Sequence, residues 1–154
     1  MSDTTISQLI PIIQMAIGPV ILISGAGLLL ITMTNRFARV IDRLRLLSRQ
    51  MEEAKEADRD AITSQLRILW KQAALMRRAI AFASFSVLLA AILIIAIFFT
   101  ALFHLESAWL ISALFIVCML SLIFSLIEFI RDINQSLVAI KLEVKDKSLN
   151  TRAF

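Results

Sequence analysis

Five arginines next to two long apolar stretches form the most chemically distinctive group in this sequence. We call them the basic belt: Arg36, Arg39, Arg43, Arg77 and Arg78. Asp42 is spaced to pair with Arg39 and with Arg45 on one helical face. Such a belt binds anionic lipid headgroups, at about 1 kcal/mol for each basic residue near the surface. If several subunits surround an axis, the same arginines would concentrate anions there, and both interpretations stay open.

A second group lies in the last apolar stretch, and we call it the polar stripe. Its members recur at helical spacing: Ser121, Ser125, Glu128 and Asp132, with Cys118 one turn earlier. An ionisable group at such a place is costly unless it is paired or hydrated. In one interpretation, Glu128 pairs with Arg131 or with the belt, and the serines bond to their own helix. In the other, the stripe faces a water-filled path, which Glu128 and Asp132 gate near its inner mouth.

Glycine, proline and small polar residues occur together in the first apolar stretch. Six of them are candidates for a pore lining or a hinge: Gln14, Gly18, Pro19, Ser24, Gly25 and Gly27. The Gly18-Pro19 pair is expected to bend or loosen a helix. The alternative is that Gly25 and Gly27 serve close helix packing.

The motifs of several common chemistries do not occur in this sequence. There is no glycine-rich phosphate loop, nucleophile elbow or zinc-binding His-Glu motif. The single Cys118 and the single His104 offer no cluster of metal ligands. The basic residues are not interleaved with aromatic residues that could stack on bases. We therefore expect neither an enzyme, nor a cofactor or metal site, nor nucleic-acid binding.

The elements that position these groups follow from the hydropathy pattern. The chain is 59% hydrophobic, and a soluble domain of 154 residues could not bury that much apolar surface. Apolar runs long enough to cross a bilayer occur at 6–33, 79–103 and 108–130. The sequence predicts an all-α integral membrane protein with three transmembrane helices, the last two joined by a tight loop at 104–107.

The charged stretch 34–78 is predicted to form a cytoplasmic helical hairpin. Two apolar series have the heptad spacing of a coiled-coil seam. They pair if the chain reverses near Glu56: Phe37 with Met76, Val40 with Ala73, Leu44 with Leu69, Leu47 with Leu66, and Met51 with Ile62. The alternative is one long helix that pairs with another subunit.

Orientation is predicted from the distribution of charge. Eleven of the sixteen Lys and Arg residues lie in 35–78, and the other five follow Ile130. Because basic flanks stay in the cytoplasm, the hairpin and the C-terminus are predicted to be cytoplasmic and the N-terminus outside. An amphipathic cytoplasmic helix is expected at 131–147, followed by a flexible tail at 148–154.

The run Asn35-Arg36-x-x-Arg39-x-x-Asp42-Arg43, after a glycine-containing first span, resembles a bacterial membrane protein family known as domain of unknown function 2721. The resemblance covers roughly residues 10 to 144. It implies a three-span helical protein of the bacterial inner (plasma) membrane. It implies no established activity, substrate or catalytic residue.

Two functional hypotheses follow from these patterns. The first is a homo-oligomeric pore or channel-like assembly, because the small-residue and polar faces of the spans call for neighbours. The second is a membrane scaffold or adaptor whose hairpin docks a cytosolic protein partner. The expected partners are the lipid bilayer with its anionic headgroups, further copies of the chain and, for the scaffold, that docked protein.

Overall fold

The computed structural model describes residues 6–53, 55–103 and 108–150, and every element in them is helical. The helices are α1 (Ile6–Glu53), α2 (Glu56–Phe103) and α3 (Ala108–Asn150). Side chains are described for 10–53, 55–56, 59–60, 62–103 and 108–134. The predicted loop at 104–107 and residues 151–154 of the predicted tail lie outside the described residues.

All three helices are long enough and apolar enough to cross a membrane, judged by length and composition. This confirms the all-α class and the prediction of three helices that are long and apolar enough to cross a membrane. The helix α1 runs without interruption through both Pro11 and Pro19. The Gly18-Pro19 pair therefore does not end the helix, although each proline removes one backbone hydrogen-bond donor.

The chain leaves helical geometry between Glu53 and Glu56. From Glu52 to Asp60 the sequence has no apolar side chain larger than alanine, so neither helix offers a seam residue there. Beyond the break, the Thr63 hydroxyl lies 3.8 Å from the sulfur of Met51. These two residues belong to different helices, so the helix ends lie side by side within one chain.

The helices divide into two compact units. The first contains α1 as far as Thr32 together with Ile80–Ser125, and the second contains Met33–Ala79 and α3 from Leu126.

The fully buried part of the first unit's core is built from small side chains. On α2 these residues recur at heptad spacing: Ala83, Ser86 and Ala90. On α3 they are matched by Cys118 and Ser125, which are also buried. Small residues allow two helix backbones to approach closely, and larger apolar side chains complete the core around them.

The core of the second unit coincides with the predicted seam. Four seam residues are buried: Leu44, Leu47, Ala73 and Met76. The seam opens toward the helix ends, where Met51 is 36% exposed. The pairing of these residues as a coiled-coil seam and the cytoplasmic location of the pair stay predictions. The side chains of Leu137, Ile140 and Val144, expected on one face of the C-terminal helix, lie outside the described residues.

Candidate functional site

Side chains from all three helices meet at a buried ion pair in the second unit. The Arg36 Nη2 atom lies 3.2 Å from Oδ2 of Asp132. The Asp132 side chain is 0% exposed and that of Arg36 is 26% exposed. Gln72 on α2 also interacts with the same carboxylate. We call Arg36, Gln72 and Asp132 the polar junction.

An aromatic ring supports the arginine of the junction. The guanidinium carbon of Arg36 lies 5.5 Å from the centroid of the Phe129 ring. Phe129 precedes Asp132 by three residues, so one face of α3 supplies both the ring and the carboxylate. A guanidinium at this distance gains cation–π attraction. Arg36 is therefore held by charge and by ring contact together.

The carboxylates near the junction are neutralised by ion pairs rather than by hydrogen bonds of standard geometry. Among the described residues no such bond reaches Glu128 Oε2 or either oxygen of Asp132, although Gln72 interacts with Asp132. Glu128 pairs instead with Arg131 on the next turn, at 3.7 Å. Two acids thus face two arginines, and the local charge balances. A carboxylate buried in this way depends on its cation, because an isolated buried charge is costly.

The rest of the basic belt differs from Arg36. Arg39, Arg43, Arg77 and Arg78 are exposed, and none of them is among the ion pairs of the described residues. The expected pairs of Asp42 with Arg39 and Arg45 are absent there too, because exposed helix pairs gain little against side-chain entropy. Four belt arginines therefore have no ion-pair partner among the described residues.

The N-terminal end of the polar stripe contacts α2 in the first unit. Ser86 donates a hydrogen bond to the backbone oxygen of Cys118 at 2.9 Å, and the Cys118 thiol donates back to the Ser86 oxygen at 3.2 Å. Ser121 donates to the backbone oxygen of Phe82 at 2.8 Å. The interpretation that the serines bond to their own helix is wrong for Ser121. Side chains this short reach a neighbouring backbone only because both helices carry small residues.

Ser125 and Asp132, the remaining buried members of the stripe, lie in the first and second units respectively. Glu128 is half-buried. Within one chain the buried stripe residues therefore make internal contacts, and a water-filled path along them stays a prediction.

The six candidate residues of the first span take different positions. Gln14, Gly18, Ser24 and Gly25 are exposed, whereas Pro19 is buried and Gly27 is half-buried. Ser24 satisfies its hydroxyl by donating to the Val20 backbone oxygen at 3.1 Å. A methyl group added at any of the three glycines would meet nothing within 4 Å outside its own helical turn. Contacts within the chain therefore do not require glycine at these three positions.

Sequence reasoning missed three residues that the structure brings into these contacts: Gln72, Ser86 and Phe129. Helical spacing offered a signal for Gln72, because it lies three residues after the predicted seam residue Leu69 and so close to the same helical face. Ser86 has no polar residue one heptad before or after it on α2, so nothing in the sequence marked it. No cluster of three metal-binding side chains occurs in the described part of the chain.

The comparison with protein families identifies the chain. The family model described as Protein of unknown function (DUF2721) matches residues 16–142, so the chain belongs to this family. No curated protein and no solved structure matches the chain.

Proposed function

We propose that this member of the DUF2721 family forms a homo-oligomeric, channel-like assembly in a membrane. The three apolar helices and the family membership support a membrane protein of unknown role. The oligomer and the conduction are our inference. The observation that carries it is a strip of Gln14, Gly18 and Gly25 on the otherwise apolar exposed surface of α1.

Large apolar side chains dominate the exposed surfaces of α2 and α3 in the first unit. They include Phe85, Leu88 and Ile95 on α2, and Phe115 and Phe124 on α3. Lipid solvates such side chains well. These two helices therefore suit the outer, lipid-facing surface of an assembly.

The exposed surface of α1 also carries large apolar side chains, among them Ile21 and Leu28, but one strip of it is less suited to lipid. Gln14 has no hydrogen-bond or charged partner among the described residues, and its amide is costly to expose to hydrocarbon. Gly18 and Gly25 stand on the same helical face, and each glycine in a helix costs about 1 kcal/mol relative to alanine. A central position, where this face meets other copies and water, accounts for both features.

We further propose the orientation and the location of the assembly. The hairpin and the C-terminus are cytoplasmic, the N-terminus is outside, and the membrane is the bacterial inner membrane. This proposal rests on the distribution of Lys and Arg. It puts the exposed arginines of the basic belt at the cytoplasmic end of the path, where they attract anions or anionic lipid headgroups.

Ion flux in proteoliposomes tests the proposed function. We expect anion flux from the wild-type protein and reduced flux from Arg39→Gln, because this arginine is exposed and unpaired. Arg49→Gln is the matched control: it is also exposed and unpaired, but it follows Arg39 by ten residues, about 15 Å along a helix. The surface field falls off over about 8–10 Å, so this variant should conduct normally. The proposal would end if the wild type showed no ion flux. It would also end if Arg39→Gln and Glu128→Gln both conducted as well as the wild type.

A scaffold is the second candidate function, and two exposed side chains favour it. Trp70 is 67% exposed and Ile68 is 54% exposed, both within the charged segment of α2. Exposed aromatic residues are enriched where proteins bind each other. A protein that co-purifies with the wild type and is lost on Trp70→Ala, together with absent ion flux, would favour the scaffold.

A further inference from the structure

One side of the α1–α2 pair in the second unit faces away from α3 at the level of the polar junction. Successive residues of an α-helix lie about 100° apart around its axis. Gln72 interacts with Asp132 of α3, so Trp70, two residues earlier, lies about 200° from that contact. On α1, Arg36 meets the same carboxylate, and Ile41, five residues later, lies about 140° from it. Trp70 and Ile41 therefore lie on the side of the pair that is away from α3.

These two residues leave apolar surface exposed at the same height along the pair. Trp70 is 67% exposed, and Ile41 is half-buried. Thr63 lies beside Met51, and α1 and α2 run in opposite directions from the break between Glu53 and Glu56. Seven residues along each helix from that contact, Trp70 is level with Leu44, which is within one helical turn of Ile41. We call this side of the pair, centred on Trp70 and Ile41, the open groove.

The edges of the open groove are basic. The residues of this side recur at heptad spacing on both helices: Ala38, Ile41, Arg45, Ser48 and Glu52 on α1, and Thr63, Arg67, Trp70, Ala74 and Arg77 on α2. All of them except Ile41 are exposed. The set contains three arginines and one acid, and the acid lies at the end near the turn. A partner that covers Trp70 would therefore place its own charges among arginines.

We propose that the open groove binds an acidic amphipathic helix of a protein partner. The inference rests on the scaffold, the second candidate function, and gives it a surface and a partner chemistry. An amphipathic helix lays its apolar face into a groove of this kind, and here that face would cover Trp70 and Ile41. Its acidic residues would reach Arg45, Arg67 and Arg77 at the edges. Tryptophan and arginine are also the residues most enriched among those that dominate binding energy.

A second copy of the chain fits the open groove less well. If the grooves of two copies faced each other, the same arginines would be brought together from both sides. Each copy would supply only Glu52 to balance them, and like charges set against each other weaken an interface. Charge complementarity therefore favours an acidic partner over a second copy.

The membrane surface does not reach the centre of the groove. Trp70 precedes Ala79, the start of the second predicted span, by nine residues, or about 14 Å at the rise of a helix. The headgroup layer extends only about 5–8 Å beyond the hydrocarbon. An occupant that covers Trp70 must therefore come from the aqueous compartment.

Tryptophan emission of the full chain in a neutral detergent tests the contact. In a Trp109→Phe background, Trp70 is the only tryptophan. The probe is a synthetic helical peptide with leucine at heptad positions and glutamate beside them, and the control peptide has lysine in place of glutamate. The glutamate peptide should shift the Trp70 emission to shorter wavelength, because the indole leaves water, and the lysine peptide should not. No shift with the glutamate peptide, or equal shifts with both, would overturn the inference.

The same measurement reveals a second copy in the groove. In that case the Trp70 emission would be at short wavelength before any peptide is added, and dilution of the protein with detergent would move it to longer wavelength. This result would also overturn the inference.

Variants place the peptide on the groove, with affinity measured by the fluorescence anisotropy of a dye-labelled glutamate peptide. Trp70→Ala should weaken binding about thirtyfold, the effect of losing a central anchor. Ile68→Ala is its control, because Ile68 is 54% exposed but lies about 200° around α2 from Trp70. Arg45→Gln should weaken binding about two- to fivefold. Its control is Arg39→Gln, since Arg39 is exposed about 200° from Ile41.

Both controls should bind the peptide as the wild type does. If Ile68→Ala weakened binding as much as Trp70→Ala, or Arg39→Gln as much as Arg45→Gln, the peptide would bind elsewhere and the open groove would be wrong.

The outcomes separate this inference from the proposed functions. Ion flux without binding of the glutamate peptide overturns the inference and keeps the channel. Peptide binding at Trp70 without ion flux keeps the inference and ends the channel proposal. If a co-purifying protein is lost on Trp70→Ala but the glutamate peptide does not bind, the scaffold stands and the acidic helix is wrong.

Discussion

Replacing Arg36 with methionine is expected to destabilise the protein by about 3–5 kcal/mol, the usual cost of leaving a buried charge without its partner. Asp132 is 0% exposed, and Arg36 is its only ion-pair partner among the described residues. Gln72 cannot replace a full positive charge. The free energy of unfolding, measured by denaturant titration in detergent micelles, should fall accordingly.

Removing Asp132 in place of Arg36 should lower the free energy of unfolding by less. In Asp132→Leu the remaining charge is that of Arg36, which is already 26% exposed and can turn toward water. The double variant Arg36→Met/Asp132→Leu should approach the wild type, since an apolar pair of similar size often replaces a buried ion pair without loss. Arg39→Met is the control, because this exposed and unpaired arginine should change stability by no more than about 0.5 kcal/mol. Equal effects of Arg36→Met and Arg39→Met would refute the buried pair.

Replacing Ala90 with leucine is expected to be the most disruptive single change in the first unit. Ala90 is 0% exposed and packs beside Leu89 and Cys118, with Leu114 against the same cluster. Overpacking a filled core usually costs about 1–3 kcal/mol. The cost here includes separation of α2 from α3, which would break the short hydrogen bond from Ser86 to the Cys118 backbone.

Ala81→Leu provides the comparison for this prediction. Ala81 lies on the same helix but is exposed, so a larger side chain has room there. The temperature of unfolding in detergent should drop for Ala90→Leu and stay near the wild type for Ala81→Leu. If both variants unfold alike, the close packing of α2 on α3 is wrong.

The helices could be predicted because their signals are long and regular. An uninterrupted apolar run has few alternatives to a membrane-crossing helix. The burial of Leu44, Leu47, Ala73 and Met76 is predictable for a similar reason, since heptad spacing repeats over several turns. The reversal near Glu56 was predicted from the loss of that spacing, without any glycine or proline to mark it.

The contacts of individual polar residues were less predictable. Arg36 and Arg39 look equivalent in the sequence, yet only Arg36 meets a buried acid, because α3 supplies Asp132 nearly 100 residues later. From the sequence, Ser121 could bond to its own helix or to another. The small residues Ala83 and Ala90 let α2 come close enough for the bond to the other helix. Both outcomes depend on how close helices distant in sequence approach each other, which no local pattern specifies.

Cysteine accessibility in intact cells tests the topology on which this account depends. Arg45→Cys lies in the charged segment, and His104→Cys lies in the predicted loop between the last two spans. With a reagent that does not cross membranes, His104→Cys should be labelled from outside and Arg45→Cys only after the cells are opened. Labelling of both positions from the same side would contradict the three-span arrangement and, with it, the proposed assembly.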